Sequence, residues 1–276
     1  MFEGITLGQY VPGQSLIHRL DPRTKILCAF LAMLAVLVAN RPAAIIFLTL
    51  LTLLFTGLSG LSLRLVAGTL RPFRVILALT FLLQVFFTPG EALLALGPLA
   101  VSREGLELGA VILWRLTLLV VISSLLTLTT SPVKLTAGLE SLLTPLQRFG
   151  VPAHELAMMM TIALRFVPTL LEEAGQVYRA QQSRGAAFTR GGPVRRLQGV
   201  IPLLVPLFAG AFRRADDLTT AMEIRCYRGG ANRTRMHQLQ FSRNDRLALA
   251  LACLALVVTL ALRWWNDSQI LAGMIQ

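Results

Sequence analysis

Long apolar runs separated by short polar breaks dominate the chain, and they predict helices of membrane-spanning length. A bilayer core needs about 20 predominantly apolar residues in helical form. The first apolar region covers residues 26–58 and is interrupted at Asn40-Arg41-Pro42, which predicts two helices joined by a tight turn. Residues 75–87 form a third, short span that ends at Thr88-Pro89-Gly90 and borrows its first turn from residues before Arg74. Residues 91–107 read as a loop and 108–130 as a fourth span ending at Ser131-Pro132. The last span, 247–265, closes on Trp264-Trp265, a pair suited to an interfacial belt. Sustained apolar–polar alternation is absent, which sets a β-barrel aside. The expected fold is all-α, a polytopic membrane protein with about five transmembrane helices and a three-helix insert before the last span.

That insert, residues 131–246, has no run comfortable as a span. Its pattern predicts helices at about 133–148, 153–183 and 194–226. Ser131-Pro132 is a plausible cap followed by proline at the first helical position, and Phe149-Gly150 is a glycine stop. In the second helix Arg165, Glu172 and Arg179 recur every seven residues as one polar stripe, and Pro168 is placed to kink it. Leu156, Met159, Ala163, Phe166, Leu170, Ala174 and Val177 make the opposite stripe, widened by Met158, Met160, Ile162 and Val167. The third helix holds the apolar stretch 200–212, too short and too proline-rich (Pro202, Pro206) for a span. Helices this apolar must be covered by membrane or by a partner helix. The chain thus divides into an N-terminal membrane domain (1–130, four spans), the helical insert (131–246), and the last span with an external tail (247–276).

Composition agrees, with 55% apolar and only 14% charged residues over 276 positions, against about 25% charged in soluble domains. The net charge of +12 orients the spans. Sixteen of the 26 Lys and Arg lie in residues 131–246, three more in 1–25 and three in 59–74. The positive-inside bias then places the N-terminus and the insert in the cytoplasm and the C-terminus outside. The basic charge lies between apolar segments, unlike that of a nucleic-acid binder. The first 25 residues are polar, so no cleavable signal peptide is expected. Cys28, Cys226 and Cys253 are scattered, which argues against disulfides and a zinc site. Arg115 has two readings, a side chain that snorkels from the outer end of the fourth span or a functional intramembrane charge.

Enzymatic signatures are few. There is no G-x-x-x-x-G-K-[ST], G-x-S-x-G or H-E-x-x-H, and His18, His154 and His237 are scattered. Asp216-Asp217, with Glu223, could hold a metal ion in a membrane enzyme; local pairing with Arg213 and Arg214 is the plainer reading. A self-contained permease is a further alternative, but it calls for polar groups in several spans. Here only Arg115, Gln84 and small hydroxyls qualify.

Two stretches stand out, Ala180-Gln-Gln-Ser-Arg184-Gly185 and Ala221-Met-Glu-Ile-Arg225-Cys-Tyr227-Arg228-Gly229. Each sets an arginine in the last turn of a long helix, where cations and glycine stops are favoured for structural reasons alone. Their repetition points further, to two arginines offered to two similar partners. At these residues, and in the opening run Tyr10-Val-Pro-Gly-Gln-Ser-Leu-Ile-His-Arg-Leu-Asp-Pro-Arg-Thr-Lys25, the sequence resembles the T component of energy-coupling factor (ECF) transporters, of the CbiQ- and BioN-like superfamily. The likeness covers essentially the whole chain. Ser183 and Ile224 stand where that family usually has alanine, and Cys226 stands where it has glycine.

The resemblance implies a non-catalytic coupling subunit of an ABC importer in a bacterial or archaeal cell membrane. Its implied partners are two ABC ATPase subunits (EcfA-type), which bind the ATP, and one small membrane S component for a vitamin or metal ion. No cofactor of its own and no nucleic acid are implied. The coupling helices would dock on the ATPases through Ser183, Arg184, Gly185, Ile224, Arg225 and Cys226. They would grip the S component through Met159, Ala163, Phe166, Leu170, Leu204 and Phe208. A T component shared among S components, or one dedicated to cobalt, nickel or biotin, both remain open. The patch His18-Arg19-Leu20-Asp21-Pro22-Arg23 reads as a charged anchor of the first span or as a contact to the coupling helices or ATPases.

Overall fold

The computed structural model describes residues 10–96, 99–150, 152–185, 193–229 and 240–274. Of the residues named above, His237 lies outside these ranges, and so does the side chain of Trp265. Helix α1 (Pro22–Val38) starts where Asp21 accepts a hydrogen bond from the Arg23 N–H and Pro22 takes the first helical position. It stops before Asn40-Arg41, because Pro42 opens the next helix, α2 (Pro42–Leu58). Each has 17 residues, about 25 Å of rise, against a hydrocarbon core of about 30 Å.

After α2, helix α3 (Leu63–Gly68), a 3-10 turn (Arg71–Phe73) and α4 (Arg74–Phe87) follow one another. They form one apolar stretch, Leu63–Phe87, so the third span is longer than its sequence core. Where a plain loop was expected, β1 (Ala92–Leu96) and β2 (Leu99–Ser102) pair as an antiparallel hairpin, with Leu96 opposite Leu99. Helix α5 (Arg103–Thr129) begins before residue 108 because Ser102 caps it. The Ser102 Oγ accepts from the Gly105 N–H at 3.1 Å and donates to the Thr88 carbonyl at 2.7 Å. The insert follows as α6 (Pro132–Leu143) with a 3-10 turn (Thr144–Phe149), α7 (Ala153–Ser183) and α8 (Pro193–Ile224). Gly150, at φ +86°, ends the turn in a left-handed conformation. Helix α9 (Arg243–Met274) continues past residue 265, the expected end of the last span.

The fold is all-α and polytopic apart from the small hairpin. Among the described residues four helical segments are long and apolar enough to cross a membrane: Leu63–Phe87, Arg103–Thr129, Ala153–Ser183 and Arg243–Trp264. Helices α1 and α2 fall short by length, and α7, expected in the insert, qualifies by length and composition.

The chain divides into two compact units, with boundaries at Gly138/Leu139 and Gln238/Leu239. In the unit holding α1–α5 and α9, the core is built on small residues. Ala29, Ala35, Val36 and Ala39 of α1 and its end cluster with Ala44, Ile45, Leu48, Leu118, Ile122 and Ala255. Without a hydrophobic driving force inside lipid, such small residues let helix backbones approach closely. Arg115 belongs to this packing. Its Nη2 donates to the Ala39 carbonyl at 2.6 Å and to Asn40 Oδ1 at 3.2 Å. It closes the C-terminal end of α1, where a cation is favoured.

Two arginine-bearing helix ends as the candidate site

In the second unit α7 and α8 pack against each other. Arg214 of α8 pairs with Glu173 of α7. The expected local pairing of Arg213 and Arg214 with Asp216 and Asp217 is absent among the described residues, because Arg214 turns toward the neighbouring helix and Arg213 Nε donates to the Ala209 carbonyl. Asp216 and Asp217 are exposed. No group of three or more His, Cys, Asp or Glu that could hold a metal ion occurs among the described residues.

Both predicted arginine ends share one local geometry. At the end of α7 the Arg184 N–H donates to the Ala180 and Gln181 carbonyls, and the Gly185 N–H donates to Gln182. Gly185 stands at φ +86°. At the end of α8 the Arg225 N–H donates to Ala221, and the Cys226 N–H to Glu223 at 2.9 Å. The Tyr227 N–H donates to Met222 at 3.0 Å. Cys226 stands at φ +57°, the one non-glycine residue in the left-handed region among the described residues. At the end of α8 these bonds make a Schellman stop, and both ends set the arginine at the cap position with a left-handed residue after it. Cys226, which stands where the resembled family has glycine, therefore takes a left-handed conformation like that of Gly185. Ser183, Arg184, Gly185, Ile224, Arg225 and Cys226 are all exposed, Ile224 to 77%. The Ser183 hydroxyl is turned back onto the Arg179 carbonyl.

The two ends are not brought together. Arg225 lines a cleft with Cys226, Tyr227 and Arg228 against His154, Ala157, Met158 and Thr161 of the first turns of α7. Arg184 lies at the other end of α7, some 26 residues beyond Met158, or about 40 Å along the helix. The helices are thus antiparallel, with one arginine at each end of the pair. The cleft end is fixed by His154, whose Nδ1 lies 3.0 Å from Glu140 Oε1 and ties α7 to α6. Along the pair Met159, Ala163, Leu204 and Phe208 are exposed, while Phe166 and Leu170 are half-buried. Leu156, Met160, Ile201, Val205 and Phe212 extend the exposed apolar surface.

Sequence reasoning missed a polar knot at the start of α1 and α9 in the membrane unit. Asp245 is 1% exposed. One of its carboxylate oxygens accepts from the Ser242 N–H and hydroxyl at 2.8 and 2.7 Å, and the other from the Asp21 N–H at 2.8 Å. The Asp245 N–H returns to Ser242 Oγ at 3.3 Å, which closes a capping box on α9. The Ser242-x-x-Asp245 spacing was the available signal. The His18–Arg23 patch is accordingly anchored: His18 bonds to Ser15 and the Val11 carbonyl, and Arg23 stacks on Phe241 at 5.8 Å.

Apolar spans and an amphipathic helix pair define a polytopic membrane protein whose insert ends in paired arginine caps. Residues 13–237 match the family model CbiQ, described as cobalt transport protein. The chain is 53% identical over 244 residues to the energy-coupling factor transporter transmembrane protein EcfT of Thermosediminibacter oceani, covering 88% of this chain and 92% of that one. It is 51% identical over 265 residues to EcfT of Acidaminococcus fermentans, covering 96% and 98%. The EcfT of Clostridium kluyveri is 44% identical over 269 residues, covering 96% and 100%. The chain belongs to this family of energy-coupling factor transporter transmembrane proteins.

Proposed function

We propose that this protein is the non-catalytic coupling subunit of an ECF-type ABC importer, with its N-terminus and helical insert in the cytoplasm of a bacterial or archaeal cell. Two ABC ATPase subunits dock on the two helix ends. One accepts Arg184 with Ser183 and Gly185, and the other accepts Arg225 with Ile224 and Cys226. ATP is bound by those partners, and the chain needs no cofactor. The observation that carries the reading is the duplicated stop geometry at Arg184 and Arg225, set at opposite ends of one antiparallel pair. A single partner recognising a single site would need only one such end.

Helix-in-groove recognition suits these ends, since an exposed arginine at a helix stop presents a preorganised planar fork of donors to a groove. The exposed apolar surface around Met159, Ala163, Phe166, Leu170, Leu204 and Phe208 is the contact for the small S component, which selects the vitamin or metal ion. When ATP draws the two ATPases together, the two ends of the pair move relative to each other. The apolar surface between them changes shape and reorients the S component. Affinity purification from membranes tests this. Wild-type protein is expected to carry two ATPases and a small hydrophobic protein, and Arg184→Ala with Arg225→Ala to lose the ATPases. Normal recovery of the ATPases by the double variant would sink the docking assignment.

A further inference from the structure

Among the described residues, the first turn of α1 and its cap touch both the segment by which the chain leaves the membrane unit for the insert and the segment by which it returns. On the way out, Lys25 Nζ donates to the Thr129 carbonyl, the last residue of α5, at 3.0 Å. The second bond of that ammonium, to the His18 carbonyl at 3.3 Å, fixes its position. Next along the chain, Gly138 of α6 lies so close to α1 that an added Cβ would stand 3.0 Å from Pro22 Cβ and 3.2 Å from Ile26 Cδ1. On the way back, the Asp21 N–H donates to Asp245 in the first turn of α9, and Arg23 lies over Phe241. Lys25, Asp21, Gly138 and Asp245 are all buried. A lysine and two aspartates kept from water in this way need their partners, and removing one partner leaves the others unsatisfied.

A capped helix start requires only Asp21 and Pro22. The bonds to Thr129 and Asp245 and the glycine contact go further, since they join the exit and the return to each other through α1. We infer that this turn is a clasp that holds the chain's exit to the insert and its return as one body. Movement of the insert is then delivered to the membrane helices together and is not lost in its connections. Asp21, Lys25 and Asp245 are positioning residues, and Gly138 is the point of close approach. The inference rests on the coupling function proposed above, and it names the place where motion passes into the membrane unit.

The test uses the complex of the full chain with its two ATPases in lipid nanodiscs. Nitroxide labels are attached to p-acetylphenylalanine introduced at Val133 and Leu247, which flank the exit and the return, so that Cys28, Cys226 and Cys253 stay in place. In the parent the label distance is expected to be narrow and the same with ADP and with ATP plus vanadate. In Lys25→Met and Gly138→Leu it broadens and becomes nucleotide-dependent, while the ATPases still co-purify and ATP hydrolysis stays within about twofold of the parent. Lys25→Arg, which keeps a donor to Thr129, restores the narrow distance. Gly138→Ala serves where the larger side chain prevents folding. Unchanged distances in the variants, or a parent distance that shifts with nucleotide, would overturn the clasp. Loss of the ATPases from the parent complex would instead count against the coupling reading, with the ADP-state label distance in the variants still deciding whether the clasp holds.

Discussion

At the scale of single residues, two side chains do work that their type alone would not suggest. Cys226 holds a left-handed backbone at φ +57°, a conformation that costs a residue with a Cβ about 1–2 kcal/mol. Nothing in the Schellman stop requires a thiol, so Cys226→Gly is expected to stabilise the end of α8 by about 1 kcal/mol. Slower amide exchange at Tyr227 in the variant is the measurement; faster exchange would mean that the thiol contributes a contact. Arg115 makes the opposite case, a charge that the packing needs. Ala39 is 1% exposed, so its carbonyl has no water to fall back on once Arg115 Nη2 is gone. Hydrogen bonds to charged groups contribute about 1.5–3 kcal/mol. Arg115→Met is expected to lower the unfolding temperature in detergent, with Arg115→Lys in between. An unchanged melting curve for the methionine variant would show the bond to be dispensable.

At the scale of elements, most helices were legible because apolar runs and proline or glycine stops are local signals. Pro22, Pro42 and Pro132 each open a helix, and Gly150 and Gly185 each follow one. What the local pattern hides depends on tertiary neighbours. Residues 91–102 contain no turn-flanked β-branched run, and their hairpin forms beside α4 and α5, where Ser102 bonds to Thr88. Arg214 has acidic residues two and three positions along its own helix, yet it chooses Glu173, because α8 packs on α7. Within the candidate site the residues themselves were readable, while their placement at opposite ends was not, since sequence gives no sense of how two helices run. The exposed stripe on the same pair yields a prediction of its own. Met159→Asp and Phe208→Asp, at positions 57% and 59% exposed, leave the fold intact. Each removes about 1.5–3 kcal/mol of apolar burial at a partner surface. Recovery of the S component is then expected to fall by about tenfold or more per substitution while the ATPases remain bound. Equal loss of both kinds of partner would mean that the stripe is not a dedicated S-component surface.

At the scale of the whole molecule, charge and repetition decide what the chain can engage and from which side. On the orientation proposed above, the insert's cluster of arginines sets Cys226 on the cytoplasmic side and Glu91 on the outer side. A membrane-impermeant maleimide should therefore label Cys226 only in inside-out vesicles, and Glu91→Cys only in right-side-out ones. The reverse pattern would refute the orientation. The two arginine ends carry the last prediction. Contacts more than about 10 Å apart with no shared partner act independently, and Arg184 and Arg225 stand about 40 Å apart along α7. Losing a charged hydrogen-bonding side chain at one docking site costs about 1.5–3 kcal/mol, so each single alanine variant is expected to weaken ATPase retention by about tenfold to a hundredfold. The partner left on the intact end keeps the other at a high effective concentration, which softens the single-variant loss. No such tether survives in the double variant, so its loss should reach or exceed the product of the two. Arg→Lys at either end retains the charge but not the planar fork, and it should fall between wild type and alanine. ATPase retention measured by titration with salt separates these cases. A double variant no weaker than one single variant would mean that the second end contacts nothing, and the pair would be two well-stopped helices of which only one docks.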